Sequence, residues 1–140
     1  MYLDTSVLVK LYVAEPDSEA CNRVVEGAGL ASSELAYAEV WAALLAKERA
    51  KEISERERSA AWETFRGDIR EQILTLFPLD KITLQHAVEV MTEVHPHVPL
   101  RTLDAIHVAT FRAVHAGPLF TNDKRMKAAA RFLELQVVEL

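Results

Sequence analysis

Apolar and polar positions along this chain fall into blocks whose period changes, and the changes mark the elements. "MYL" is short, apolar and β-prone; it stops at Asp4, and "TSVLVKLYV" follows with helical spacing, so a strand runs into a helix. Glu15-Pro16 ends that helix or starts the next one, because the residue before proline avoids the α region. Residues 17–26 form a short amphipathic helix, "GAG" at 27–29 breaks it, and "LASS" at 30–33 reads as a second strand whose serines open a long helix over about 34–50. From Lys47 to Glu71 the charges alternate in sign, with Glu52 and Arg56 at i, i+4, which predicts an exposed helix or helical hairpin. "ILTLFPL" at 73–79 is a buried-strand candidate, and residues 83–94 keep helical spacing in Leu84, Ala87, Val88 and Met91 until "HPHVP" interrupts. A helix over about 102–115, a strand "PLFT" at 118–121, a helix over about 124–133 and a last strand "QVVEL" complete the pattern. Strands alternate with helices and no repeat or linker divides the chain. The expectation is one α/β domain over residues 1–140, a parallel sheet of about five strands with helices on both faces.

Composition narrows the class. A chain of 140 residues, half of them apolar, buries roughly two thirds of its unfolded surface and needs no staples to hold a core. The single cysteine, Cys21, can make no internal disulfide and belongs to no zinc motif; it reads as a small core or boundary residue in a protein of the reducing cytoplasm. The apolar run "VWAALLA" is far shorter than the roughly 18 residues a membrane span requires, and Asp4 precedes any signal-peptide core, so no membrane partner is expected. The net charge of −5 argues against a nucleic-acid partner, which usually meets a basic surplus. That argument reverses if carboxylates gather around divalent cations, since the cations invert the local charge.

Four acids fall where they could gather. In an open parallel sheet, ligands bind at the carboxyl ends of the strands where the strand order reverses. Asp4 follows the first strand directly, Asp123 stands two residues after "PLFT", and Asp104 opens the apolar helix "RTLDAIHVATF". Glu39 is the lone carboxylate among eleven apolar residues in "LAYAEVWAALLA", with Leu35, Ala36, Ala42 and Ala43 as its helical neighbours. An unpaired acid buried there costs several kcal/mol, so such groups are paired, neutralised or bound to metal. Taken singly each acid has a plain alternative: helix capping for Asp4 and Asp123, the helix dipole for Asp104, a lysine partner or a solvated edge for Glu39. One cluster is more economical than four separate explanations, and hard oxygen donors without cysteine favour Mg2+ or Mn2+.

The segments "YLDTSVLVKLY", "SELAYAEVWAAL", "LRTLDAIHVATF" and "LFTNDKRM" resemble, in order and spacing, the four acidic motifs of the PIN-domain family, and in particular of the VapC-type ribonuclease toxins. The resemblance runs from residue 3 to the carboxyl terminus. It implies a PIN-like three-layer fold in which Asp4, Glu39, Asp104 and Asp123 are catalytic acids and metal ligands, Asp4 and Asp104 most directly. Thr5 or Ser6 and Thr121 are then supporting hydroxyls. It further implies an endoribonuclease using Mg2+ or Mn2+ to activate water against an RNA phosphodiester. The implied partners are a cognate VapB-type antitoxin and a second copy in a homodimer. A non-toxin PIN nuclease of RNA processing and an inactive PIN-fold binding module are the competing readings. A haloacid-dehalogenase-type phosphatase would need "DxD" after the first strand, where this chain has Asp4-Thr5-Ser6, and a response-regulator receiver would need an acid after its third strand, near residue 55.

The remaining polar residues carry less. His86, His95, His97, His107 and His115 form no metal-binding pattern, and His107, three residues after Asp104, reads as a packed helix residue. Lys10, Arg101, Lys124 and Arg125 flank the acidic motifs, as solvated charges or as contacts to RNA phosphates. Tyr37 and Trp41 point away from Glu39, to core packing or to an interface.

Overall fold

The first strand, β1, is only Tyr2–Leu3, and it is followed by α1 (Thr5–Tyr12), α2 (Ser18–Val25), β2 (Leu30–Ser33) and α3 (Leu35–Arg49). Then come α4 (Glu55–Arg70), β3 (Leu74–Phe77), α5 (Lys81–Val94), α6 (Thr102–Val114), β4 (Leu119–Phe120) and α7 (Lys124–Phe132). This computed structural model describes residues 1–139. The strands lie in the order β3-β2-β1-β4 and every pairing is parallel, with Tyr2 opposite both Ala31 and Leu119. The chain steps outward from β1 through β2 to β3, then returns to the other side of β1. The strand order therefore reverses between β1 and β4.

The α/β class and the parallel sheet are as expected, but among the described residues the sheet has four strands rather than about five. "QVVEL" contributes one bridge, Val137 to Leu119, with the Leu119 N–H donating to the Gln136 carbonyl and the Val138 N–H to the Leu119 carbonyl. β4 has two residues and so offers a single rung to a further neighbour; Leu140 lies outside the described residues.

Successive residues of a strand point to opposite faces, and β1 divides the molecule in this way. Tyr2 enters a core with Ala31, Leu119, Val90 of α5, Ile106, Val108 and Phe111 of α6 and Met126 of α7. Leu3 enters a second core with Val7 and Leu8 of α1, Val40 and Leu44 of α3, Phe65 of α4, Leu74 and Phe120. Cys21 is buried in this second core. Helices thus cover both faces of the sheet.

The charged stretch after residue 47 is a helical hairpin of α3 and α4 rather than one exposed helix. Ser54 starts α4 with a capping box: its hydroxyl accepts from the Glu57 N–H at 3.1 Å and its own N–H donates to the Glu57 carboxylate at 2.6 Å. Ala61 and Phe65 are nevertheless buried, a stripe at i, i+4 that the surrounding charges conceal. Tyr37 and Trp41 pack within the chain on Trp62, at ring-centroid distances of 5.0 and 4.8 Å. Among the described residues no helix is long and apolar enough to cross a membrane.

Candidate active site

The reversal between β1 and β4 puts Asp4 and Thr121 side by side at the carboxyl ends of β1 and its edge neighbour β4. Asp4 is buried, and its two oxygens collect three hydroxyl contacts and one amide. Ser6 Oγ donates to Oδ1 and Oδ2 at 2.8 and 2.9 Å, Thr121 Oγ1 to Oδ2 at 2.7 Å, and the Val7 N–H to Oδ1 at 3.2 Å as the α1 cap. Burial pushes the Asp4 carboxyl above the usual aspartate range; hydrogen bonds from Thr121 and Ser6 and the charge His107 carries when protonated offset this only in part. Thr121 also accepts from the Asp123 N–H at 3.0 Å, so one hydroxyl links both acids.

Asp123 caps α7, its Oδ1 accepting from the Arg125 and Met126 amides at 2.8 and 2.9 Å. The capping explanation is therefore correct for Asp4 and Asp123; at Asp4 the cap takes one contact and the hydroxyls of Ser6 and Thr121 the other three, while at Asp123 it leaves Oδ2 off the helix. Asp123 Oδ2 faces the Arg101 guanidinium, with Nη2 at 3.5 Å, and Arg101 Nε donates to Asp104 Oδ2 at 2.8 Å. Arg101 thus spans the third and fourth acidic motifs. Asp104 Oδ1 has no protein hydrogen bond among the described residues.

Glu39 does not meet a lysine. Its Oε1 accepts from Thr5 Oγ1 at 2.7 Å and pairs with His107 Nε2, also at 2.7 Å, while Oε2 has no protein partner among the described residues. Half-burial pushes this carboxyl up, but the hydrogen bond and charge of His107 and the Thr5 hydroxyl together outweigh it and hold Glu39 below the usual glutamate range. His107 Nδ1 lies 3.0 Å from the buried Tyr2 hydroxyl. In neutral His107 these partners assign the proton to Nε2, facing the carboxylate, and make Nδ1 the acceptor for Tyr2. His107 is a packed helix residue, as its spacing indicates, but its role as the partner of Glu39 is not visible from spacing. The signal was a titratable side chain in a stretch of α6 that is otherwise Ala105, Ile106, Val108 and Ala109, buried all round.

The hydroxyls divide by acid: Thr5 serves Glu39, and Ser6 and Thr121 serve Asp4. Lys10 is committed to Asp17 and Glu15, tying α1 to the start of α2. Lys124 and Arg125 are exposed and form no ion pair among the described residues.

Asp4, Asp123 and Asp104 form a connected set through Thr121 and Arg101 rather than a tight carboxylate knot, and Glu39 has its own partners in Thr5 and His107. Among the described residues no three His, Cys, Asp or Glu side chains converge closely enough to hold a metal ion between them. The donor chemistry still fits a hard divalent cation. The donors are carboxylate oxygens without thiolates, and Mg2+ characteristically keeps several waters and binds through one or two carboxylates and substrate phosphate.

Comparison with known proteins decides the family, since the PIN domain profile matches residues 1–132. The chain belongs to the PIN-domain family. This PIN domain is 38% identical over 141 residues to Ribonuclease VapC46 of Mycobacterium tuberculosis (strain ATCC 25618 / H37Rv), covering 99% of this chain and 95% of that protein. It is 35% identical over 118 residues to Ribonuclease VapC45 of Mycobacterium tuberculosis (strain CDC 1551 / Oshkosh), covering 81% of this chain and 76% of that protein. The crystal structure of Mycobacterium tuberculosis VapC20, titled a sarcin-ricin loop cleaving toxin, superposes with a TM-score of 0.67 at 18% identity, covering 91% of this chain and 93% of that one. VapC20 thus shares the fold, and the VapC46 and VapC45 identities make this chain a PIN domain of the VapC type.

Proposed function

We propose that this protein is the toxin endoribonuclease of a type II toxin–antitoxin pair, hydrolysing RNA phosphodiester bonds with Mg2+ or Mn2+. The observation that carries the reading is the continuous set of contacts Asp4–Thr121–Asp123–Arg101–Asp104 at the reversal of a parallel sheet, with Glu39 held beside it by Thr5 and His107. In this reading Asp4 and Asp104 hold the cation directly and Glu39 and Asp123 partly through water; when bound, the cation supplies a nucleophilic hydroxide at neutral pH and neutralises charge on the phosphodiester. Ser6 and Thr121 fix the orientation of the Asp4 carboxylate. His107 and Thr5 do the same for Glu39 and keep it ionised. Lys124 and Arg125 meet the RNA backbone.

The other parts of the reading are one domain over residues 1–140, a cytoplasmic setting, a homodimer and a VapB-type antitoxin that covers the site. Its test is cleavage of defined RNAs by the purified protein with Mg2+, with Mn2+ and with chelator. Cleavage is expected only with metal and is expected to be lost in Asp4→Asn; full cutting in chelator, or by that variant, would refute the metal-dependent mechanism. Expression is expected to arrest growth and co-expression of the antitoxin to relieve it, whereas harmless expression of active enzyme would favour a role in RNA processing.

A further inference from the structure

Arg101 stands out because its charge is spent inside the acidic site while its side chain faces solvent. The side chain is 63% exposed, against 14% for Asp104 and 27% for Asp123. It precedes α6 with an extended backbone, φ −80° and ψ 160°, and makes no capping hydrogen bond through its side chain, so helical packing does not fix it. Asp123 divides its oxygens, Oδ1 to the α7 amides and Oδ2 to Arg101. Asp104 gives Arg101 its only hydrogen bond among the described residues. The guanidinium is the cation paired with both carboxylates, one positive charge against two negative ones.

We infer that Arg101 is a built-in stand-in for the divalent cation: it holds Asp104 and Asp123 in place until metal arrives, competes with the metal for the same oxygens, and on release turns its fork to the RNA phosphodiester. The inference rests on the metal-dependent reading above. One positive group then serves two partners in turn. An arginine fork matches a phosphate as well as it matches a carboxylate, and once released on an exposed side chain it needs no rearrangement of the fold to reach one. Metal binding and RNA binding become linked, each favouring the other, because the free energy of freeing Arg101 is shared between them.

The test uses the whole chain. Mn2+ binding without RNA is measured by calorimetry and by electron paramagnetic resonance for the parent, Arg101→Gln, Arg101→Lys and Asp104→Asn. Binding of a non-cleavable 2′-O-methyl single-stranded RNA is measured with and without Mn2+ over a salt series. Arg101→Gln is expected to bind Mn2+ several-fold more tightly than the parent and RNA several-fold more weakly. Its RNA affinity is expected to respond less to Mn2+, with a salt slope lower by about 0.7, the contribution of one phosphate contact to a single strand. Arg101→Lys, which keeps the charge and loses the fork, is expected to fall between. Unchanged or weaker Mn2+ binding by Arg101→Gln, with the parent binding Mn2+ through Asp104, overturns the role of Arg101 alone. Equal Mn2+ binding by the parent and Asp104→Asn overturns the metal-site assignment and this inference with it.

Discussion

A buried carboxylate such as Asp4 is a cost the fold carries for its chemistry, and the sign of that cost can be measured. Its pKa is raised in the folded protein, so folding favours the protonated form, and ionised Asp4 weakens the fold as pH climbs through the raised value. Asp4→Asn removes this penalty. Thermal melts without divalent cation are expected to show the variant matching the parent in acid, where Asp4 is protonated in both states. Its advantage is expected to open above the ordinary aspartate range and to persist at neutral pH, although cleavage is lost. His107 is the opposite case, a residue whose value lies in what it holds. His107→Leu leaves half-buried Glu39 with Thr5 as its one partner and Tyr2 without an acceptor for its buried hydroxyl. RNA cleavage is expected to fall about 10- to 100-fold, as for other groups that orient metal ligands, with His107→Gln recovering part of it. At this scale the four acids drew attention as carboxylates in apolar surroundings, whereas Thr5, Ser6 and Thr121 came only with the resemblance to the PIN family. The His107–Glu39 pair was not, because it joins residues 68 positions apart on α3 and α6. Only the packing of those two helices against the sheet creates it.

Elements were legible where period and caps agree. Asp123 starts α7 and the Gly27 left-handed turn, φ +72°, follows the end of α2, whereas α5 begins at Lys81, ahead of the apolar spacing from residue 83, because Asp80 caps it through the Thr83 amide. They were misjudged where two signals conflict. The dense charges of α4 point to exposure, yet Phe65 is fully buried against Tyr12, Tyr37 and Trp62. Phe65→Ala is expected to cost about 3–5 kcal/mol in urea unfolding, a penalty that a surface helix would not show. The terminal strand fails for the reverse reason. "QVVEL" has the β-prone side chains, but a strand needs a partner of matching length, and β4 supplies two residues.

At the scale of the molecule, the net negative charge coexists with membership of a ribonuclease family; Asp4, Asp123 and Asp104 are linked at one reversal of the sheet, with the exposed cations Arg101, Lys124 and Arg125 beside them in the same segments. The order of strands fixes that place, and alternation of strand and helix gave only the class. The shortness of β1 has a consequence for how the protein comes apart. Tyr2 is keyed into one core and Leu3 into the other, and the Asp4 amide donates to the Phe120 carbonyl at 3.3 Å across the same seam. Neither half can open by itself without breaking the rung that both share. Native-state hydrogen exchange is expected to release the amides of Tyr2, Asp4 and Ala31 only at the free energy of complete unfolding, and exchange at far lower energy would show two independent halves. Asp4 would then sit in the last part of the molecule to melt, so that it loses its place beside Thr121 only when the whole fold goes, and the protein fails all at once.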